Sequence, residues 1–178
     1  MPSNTSSMKA AIGALLGTAL TAAGLSSATT AFADEDPSLW GIHGTFATSS
    51  NGAYAKLNER YEAQPGQQAT WTISTQCVGP ADCTGTVKSS DGWTAPIYTN
   101  DGIYFVKRLL PNWRFCDDGT PVQGLQVYKI YPVGPDAHYA DVSDEYTGED
   151  HTMGPSGSCG RNQWPVVRMP FYMKKISG

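Results

Sequence analysis

The sequence predicts an all-β fold: a single antiparallel β-barrel or β-sandwich of about seven to nine short strands, linked by disulfides. Three observations carry this. Runs rich in Thr, Val, Ile, Tyr and Trp recur between turn signals spaced roughly 8–12 residues apart. No long stretch has the 3.6-residue apolar period of an amphipathic helix. All four cysteines, Cys77, Cys83, Cys116 and Cys159, lie in the strand-rich part of the chain.

Residues 1–33 are expected to be a secretory signal peptide rather than part of the fold. Lys9 supplies a positive start, an uncharged run of Ala, Leu, Gly and Thr follows, and Ala31-Phe32-Ala33 forms an A-x-A cleavage site before Asp34-Glu35-Asp36. The run is too short and too rich in small residues to span a bilayer, which takes about 20 apolar residues. The chain after cleavage, 34–178, is then one secreted domain with no stable membrane insertion. Without Lys9 it carries 11 Lys and Arg against 16 Asp and Glu, a charge of −5. That balance argues against nucleic acid as a partner, because phosphate backbones need a basic face.

An even cysteine count in an exported chain points to disulfides. Four cysteines allow three connectivities. Cys77 and Cys83 flank a loop containing Gly79-Pro80, and hairpin geometry favours their pairing. That leaves Cys116 with Cys159, whose long loop would stabilise by roughly 3–4 kcal/mol. No C-x-x-C is present and no histidine neighbours a cysteine, so a zinc site is not expected.

The chain then reads in order. Residues 40–47 form a first strand with Ile42, Gly44 and Phe46 on one face, and 49–52 turn. Residues 53–62 are ambiguous between a short helix and an irregular strand. Residues 69–77 alternate cleanly: Trp71, Ile73, Thr75 and Cys77 against Thr70, Thr72, Ser74 and Gln76. One face is apolar and the other neutral and polar, as in an antiparallel sheet wetted on one side. Residues 83–88 return, with Gly85 and Val87 inward. Pro96 interrupts a strand over 93–98, which places it at an edge or a bulge. Residues 103–110 are the most apolar strand and 125–133 another. Residues 138–147 are extended but acidic, and 154–160 form a glycine-rich loop. Residues 166–176 close the chain with Val167, Met169, Phe171 and Met173 on one face.

Candidate chemistry is thin. Gly154-Pro155-Ser156-Gly157-Ser158 resembles the G-D-S-G-G loop of trypsin-like proteases, but Pro155 stands where the aspartate belongs and no matching histidine loop precedes it. A glycine loop that lets Cys159 reach its partner is the simpler reading. Asp141, Asp144, Glu145, Glu149 and Asp150 form an acidic cluster without calcium-loop spacing, expected to be solvated. Glu59, Glu62 and Glu149 offer carboxylates for glycoside hydrolysis, with nothing in their spacing to select a pair. Five tryptophans, Trp40, Trp71, Trp93, Trp113 and Trp164, are the candidate ligand-binding set: they would line an apolar cavity, stack on sugars, or simply pack the core. No catalytic residue, metal site or cofactor is expected.

Several segments together resemble a group of small secreted proteins of mycobacteria and related actinobacteria. They are Ser50-Asn51-Gly52-x-Tyr54-Ala55-Lys56; Trp71-Thr72-Ile73-Ser74 with Cys77; Asp82-Cys83-Thr84-Gly85-Thr86-Val87; Gly92-Trp93-x-Ala95-Pro96; Trp113 with Cys116 and Asp118-Gly119; Gly148-Glu149-Asp150; Gly154-Pro155-Ser156-Gly157-x-Cys159-Gly160; and Met169-Pro170-Phe171. A narrower likeness, through the W-T-x-S-x-x-C…C core, extends to extracytoplasmic domains of mycobacterial serine/threonine kinases. The resemblance implies secretion and a disulfide-linked β-domain, and supplies no catalytic residues. The expected function is an exported, non-enzymatic binding or interaction module of the envelope or extracellular space, with a small apolar ligand or an envelope component as partner. A secreted hydrolase and a host-facing antigen are the alternatives.

Overall fold

The computed structural model describes residues 40–140 and 143–178. The expected signal peptide and Asp141 lie outside them. The strands are β1 (Gly44–Ser50), β2 (Lys56–Leu57), β3 (Arg60–Tyr61), β4 (Gln67–Gly79), β5 (Asp82–Ser89), β6 (Thr94–Asn100), β7 (Ile103–Phe115), β8 (Pro121–Pro132), β9 (Glu145–Met153) and β10 (Val166–Ser177). Each of β4 to β9 pairs with the next, all antiparallel. β1 pairs with β4 on one side and with β10 on the other, closing an eight-stranded barrel. The β2–β3 hairpin continues the wall beyond β1, where Leu57 and Lys56 pair with Val167 and Arg168 of β10.

The alternation of β4 decides which face looks inward. Trp71, Ile73 and Thr75 are buried while Thr70, Thr72, Ser74 and Gln76 are exposed. The same two-residue period sends Phe46, Val87, Ile97, Tyr104, Val106, Tyr128, Ile130, Tyr146, Phe171 and Met173 into one continuous core. An eight-stranded barrel is just wide enough for its interior to be filled by side chains, and here aromatic rings fill it. Trp71 stacks on Phe171 at 5.2 Å between centroids and meets Tyr128 edge-on at 4.8 Å. Thr75, the polar member of its row, is satisfied locally: its hydroxyl accepts from Ile42 N at 2.9 Å and donates to Ile42 O. Among the described residues, no helix is long and apolar enough to cross a membrane.

Both expected disulfides are present, Cys77–Cys83 across the β4–β5 hairpin and Cys116–Cys159 joining the end of β7 to the loop before β10. Pro96 sits where the sequence requires. It pairs with Thr86 of β5, and the β6–β7 ladder begins only at Ile97, so the missing N–H costs no ladder bond. Three segments differ from expectation. Ser49 and Ser50 belong to β1 rather than to a turn. Residues 53–62 are neither helix nor plain strand but a 3₁₀ turn, Gly52–Tyr54, followed by the β2–β3 hairpin. The acidic stretch from Glu145 onward is a wall strand, β9, and Asp150 within it is fully buried rather than solvated.

Candidate functional site

Two places concentrate polar chemistry. The first lies inside one end of the barrel. Alternation along β9 turns Asp150 inward, where Ser50 Oγ donates to its Oδ2 at 2.7 Å and Gln126 Nε2 to its Oδ1 at 2.8 Å. Gln126 Oε1 accepts from Arg108 Nε at 2.7 Å, and the Arg108 guanidinium lies 4.3 Å from the centroid of Trp93. Burial pushes the Asp150 carboxyl above its ordinary value, against the opposing pull of the Ser50 and Gln126 hydrogen bonds and the Arg108 charge. Burial also raises Tyr128, which packs beside this network. The adjoining space, edged by Thr48, Ser50, Trp71, Asp91 and Tyr128, is about 10 Å³, room for a single water. Asp150 and Gln126 are satisfied within this plug, while the buried Nε1 of Trp93 has no hydrogen-bond partner.

The second place is a groove of about 290 Å³ beside the Cys116–Cys159 bridge, close to the lower size of ligand pockets. It begins with an irregularity in β7. Pro111, Asn112 and Trp113 stand opposite Gln123 alone, between the pairs Leu110–Gly124 and Arg114–Val122. This bulge re-aims the strand end and lays Trp113 over two glycines. A Cβ on Gly124 would meet the Trp113 ring at 2.8 Å, and one on Gly154 would meet it at 3.1 Å. Trp113 packs there against the small Ala55–Val167–Met169 cluster. Arg114 follows, its guanidinium 5.5 Å from the Trp113 ring centroid.

The opposite bank is the loop before β10. Gly157 N donates to Arg161 O at 3.0 Å, Arg161 N to Ser158 O at 3.1 Å, and Gln163 N to Arg161 O at 2.8 Å. Cys159 is held at φ 56°, in the left-handed region that costs a non-glycine residue about 1–2 kcal/mol. Cys116–Cys159 bridges the banks. Leu57, Val122 and Pro165 are the groove's apolar lining residues and Asn58, Arg114, Asp117, Arg161 and Gln163 its polar ones, with Phe115, 64% exposed, also in the lining. Asn58 is fixed by its Oδ1, which accepts from Val166 N at 2.8 Å.

The five tryptophans do not converge on one place. Trp71 is sealed in the core, and Trp93 meets it edge-on at 5.3 Å from a half-buried position. Trp113 is half-buried under the groove, Trp164 is 55% exposed beside it, and Trp40 precedes β1. None of the five lines the groove, although Trp113 adjoins Arg114, and Trp164 lies between Gln163 and Pro165. Sequence reading missed Arg114 and Arg161. Their signal was positional: Arg114 lies two residues before Cys116, and Arg161 two after Cys159. The Ser158 hydroxyl, in the loop compared with the protease motif, donates to Pro155 O at 2.6 Å, and no histidine is among the described groove residues.

No protein-family model matches the chain, and comparison with curated proteins finds no match. Among solved structures, the fold is similar to the monomer form of the M. tuberculosis PknI sensor domain. The TM-score is 0.54 at 14% identity, over 76% of this chain and 88% of that one. At that identity the likeness concerns the fold.

Proposed function

We propose that this chain is an exported, non-enzymatic binding module and that the groove beside Cys116–Cys159 is its binding site. One observation carries the reading: the barrel interior is packed with aromatic side chains, while a ligand-sized groove lined by both apolar and polar residues opens beside the Cys116–Cys159 bridge. A filled barrel argues against an apolar ligand held inside it, and the groove offers a small ligand or envelope component a place on the surface. Two disulfides suit an oxidising compartment. The fold likeness to a sensor domain favours binding over catalysis. A hydrolase built on Ser158 has less support, because that hydroxyl is engaged by Pro155 O.

Mass spectrometry of small molecules retained by the natively secreted protein, followed by hydrogen exchange with and without the compound found, tests this reading. Protection centred on Phe115 and the 158–163 loop is the expected result. A retained compound that protects the 71–93 region instead, or that is turned over on incubation, overturns it.

A further inference from the structure

The structure assigns the groove an anionic ligand: a phosphate or carboxylate group carried on an organic body about the size of a hexose. This rests on the groove being the binding site. Its first support is unpaired charge. The chain is acidic, with 16 Asp and Glu against 12 Lys and Arg, so a surface guanidinium has many possible partners. Arg168 takes Glu59 and Glu149, and Lys174 takes Glu145; other described cations, Arg60 and Arg108 among them, have no carboxylate within 4.0 Å, so what marks Arg114 and Arg161 is that they share one groove. Arg114 and Arg161 line one groove, and among the described residues neither has a carboxylate within 4.0 Å, although Asp117 lines the same groove.

Preorganisation is the second support. Arg114 is placed by Trp113, which Gly124 and Gly154 admit to its slot. The backbone of Arg161 is fixed by three hydrogen bonds of its own loop, and its side chain is exposed. The Cys116–Cys159 bridge, two residues from each arginine, ties the two segments together. Guanidinium groups present planar forks of N–H donors that match carboxylate and phosphate oxygens. Fixing the two segments that carry them removes part of the ordering cost of binding. Asn58 and Gln163 add amide groups, while Leu57, Val122 and Pro165 offer contact to a non-ionic body.

Nitrogen-15 amide NMR of the secreted protein, both disulfides intact, tests the assignment with four probes: glucose, glucose 6-phosphate, glucuronate and inorganic phosphate. The two sugar anions should shift amides of residues 114–117 and 158–163 saturably, while glucose leaves them in place. Inorganic phosphate should shift the same amides at least fivefold more weakly than glucose 6-phosphate. Arg114→Gln and Arg161→Gln should each weaken the sugar anions about tenfold. Unchanged spectra elsewhere would report an intact fold. Groove shifts with glucose as strong as with glucose 6-phosphate would overturn the anionic assignment and leave the groove standing as a binding site. Absence of groove shifts with both sugar anions would also overturn it. Inorganic phosphate binding as well as glucose 6-phosphate would remove the organic body from the assignment. A retained native compound that protects residues far from the groove would remove the binding site itself.

Discussion

Gln126 Nε2 donates to Asp150 Oδ1 at 2.8 Å across the β8–β9 ladder, and both side chains are almost wholly excluded from water. An aromatic barrel thus ends in an acid, an amide and, beyond them, the Arg108 guanidinium resting on Trp93.

The first prediction concerns pH. Burial raises the Asp150 carboxyl above its ordinary 3.8, so the folded protein holds this proton more tightly than the unfolded chain does. Its contribution to stability is fully present below 3.8 and is lost as pH rises through the higher folded value. Arg108 and His151 oppose the shift without reversing it. Asp150→Asn keeps the shape, and its amide can donate to Ser50 Oγ while its carbonyl accepts from Gln126. Urea midpoints from pH 4 to 8 should show the variant gaining on the parent as pH rises. A constant difference would contradict the argument.

Three tryptophans should rank by burial in the same assay. Trp71→Ala should cost about 3–5 kcal/mol, the range for removing a large core ring. Trp93→Ala should cost less, because the ring is partly exposed, though Arg108 loses a cation–π contact worth about 0.5–2 kcal/mol. Trp164→Ala, on the surface, should stay within about 0.5 kcal/mol. Equal effects would mean that the exposed ring is covered in solution.

The β4 pattern and the β10 pattern were legible because each strand has one wet face and one dry one, so the period of two survives in the sequence. β9 was not. Its run EYTGEDHTM contains Glu145, Glu149 and Asp150, and a buried carboxylate satisfied by Ser50, 100 residues away, leaves no local trace. Barrel against sandwich was equally hidden. It depends on β1 meeting β10, and neither strand's own residues specify that partner. For the groove, the sequence supplied the cysteines, while none of the five candidate tryptophans lines it. That Arg114 and Arg161 line one groove needed the bulge and the bridge together.

The two disulfides should differ in weight. Cys116–Cys159 spans 43 residues and Cys77–Cys83 spans 6. In the chain-entropy model that is about 4 kcal/mol against about 2 kcal/mol. Paired Cys→Ser variants compared by chemical denaturation should show this order. Non-reducing peptide mapping that finds a Cys77 or Cys83 peptide joined to Cys116 or Cys159 would refute the connectivity itself.

Gly124→Ala tests the seat of Trp113. The new Cβ would stand 2.6 Å from Thr152 Cγ2 and 2.8 Å from the indole. The ring must shift, at a cost of about 1–3 kcal/mol for overpacking. Near-ultraviolet circular dichroism should register the displaced indole. An unchanged spectrum with unchanged stability would show that the slot has slack.

β10 serves three neighbours at once, β1, β9 and β2. It is also the last strand in chain order. Until it arrives, β1 and β9 each present a bare row of N–H and C=O groups, templates for the wrong chain as much as for the right one. The ring therefore cannot assemble from its beginning. Folding waits on a contact between residues more than a hundred apart, which is slow by its nature. A chain truncated before Val166 would retain β4 through β8, two sticky borders, and a tendency to find its missing strand in another molecule.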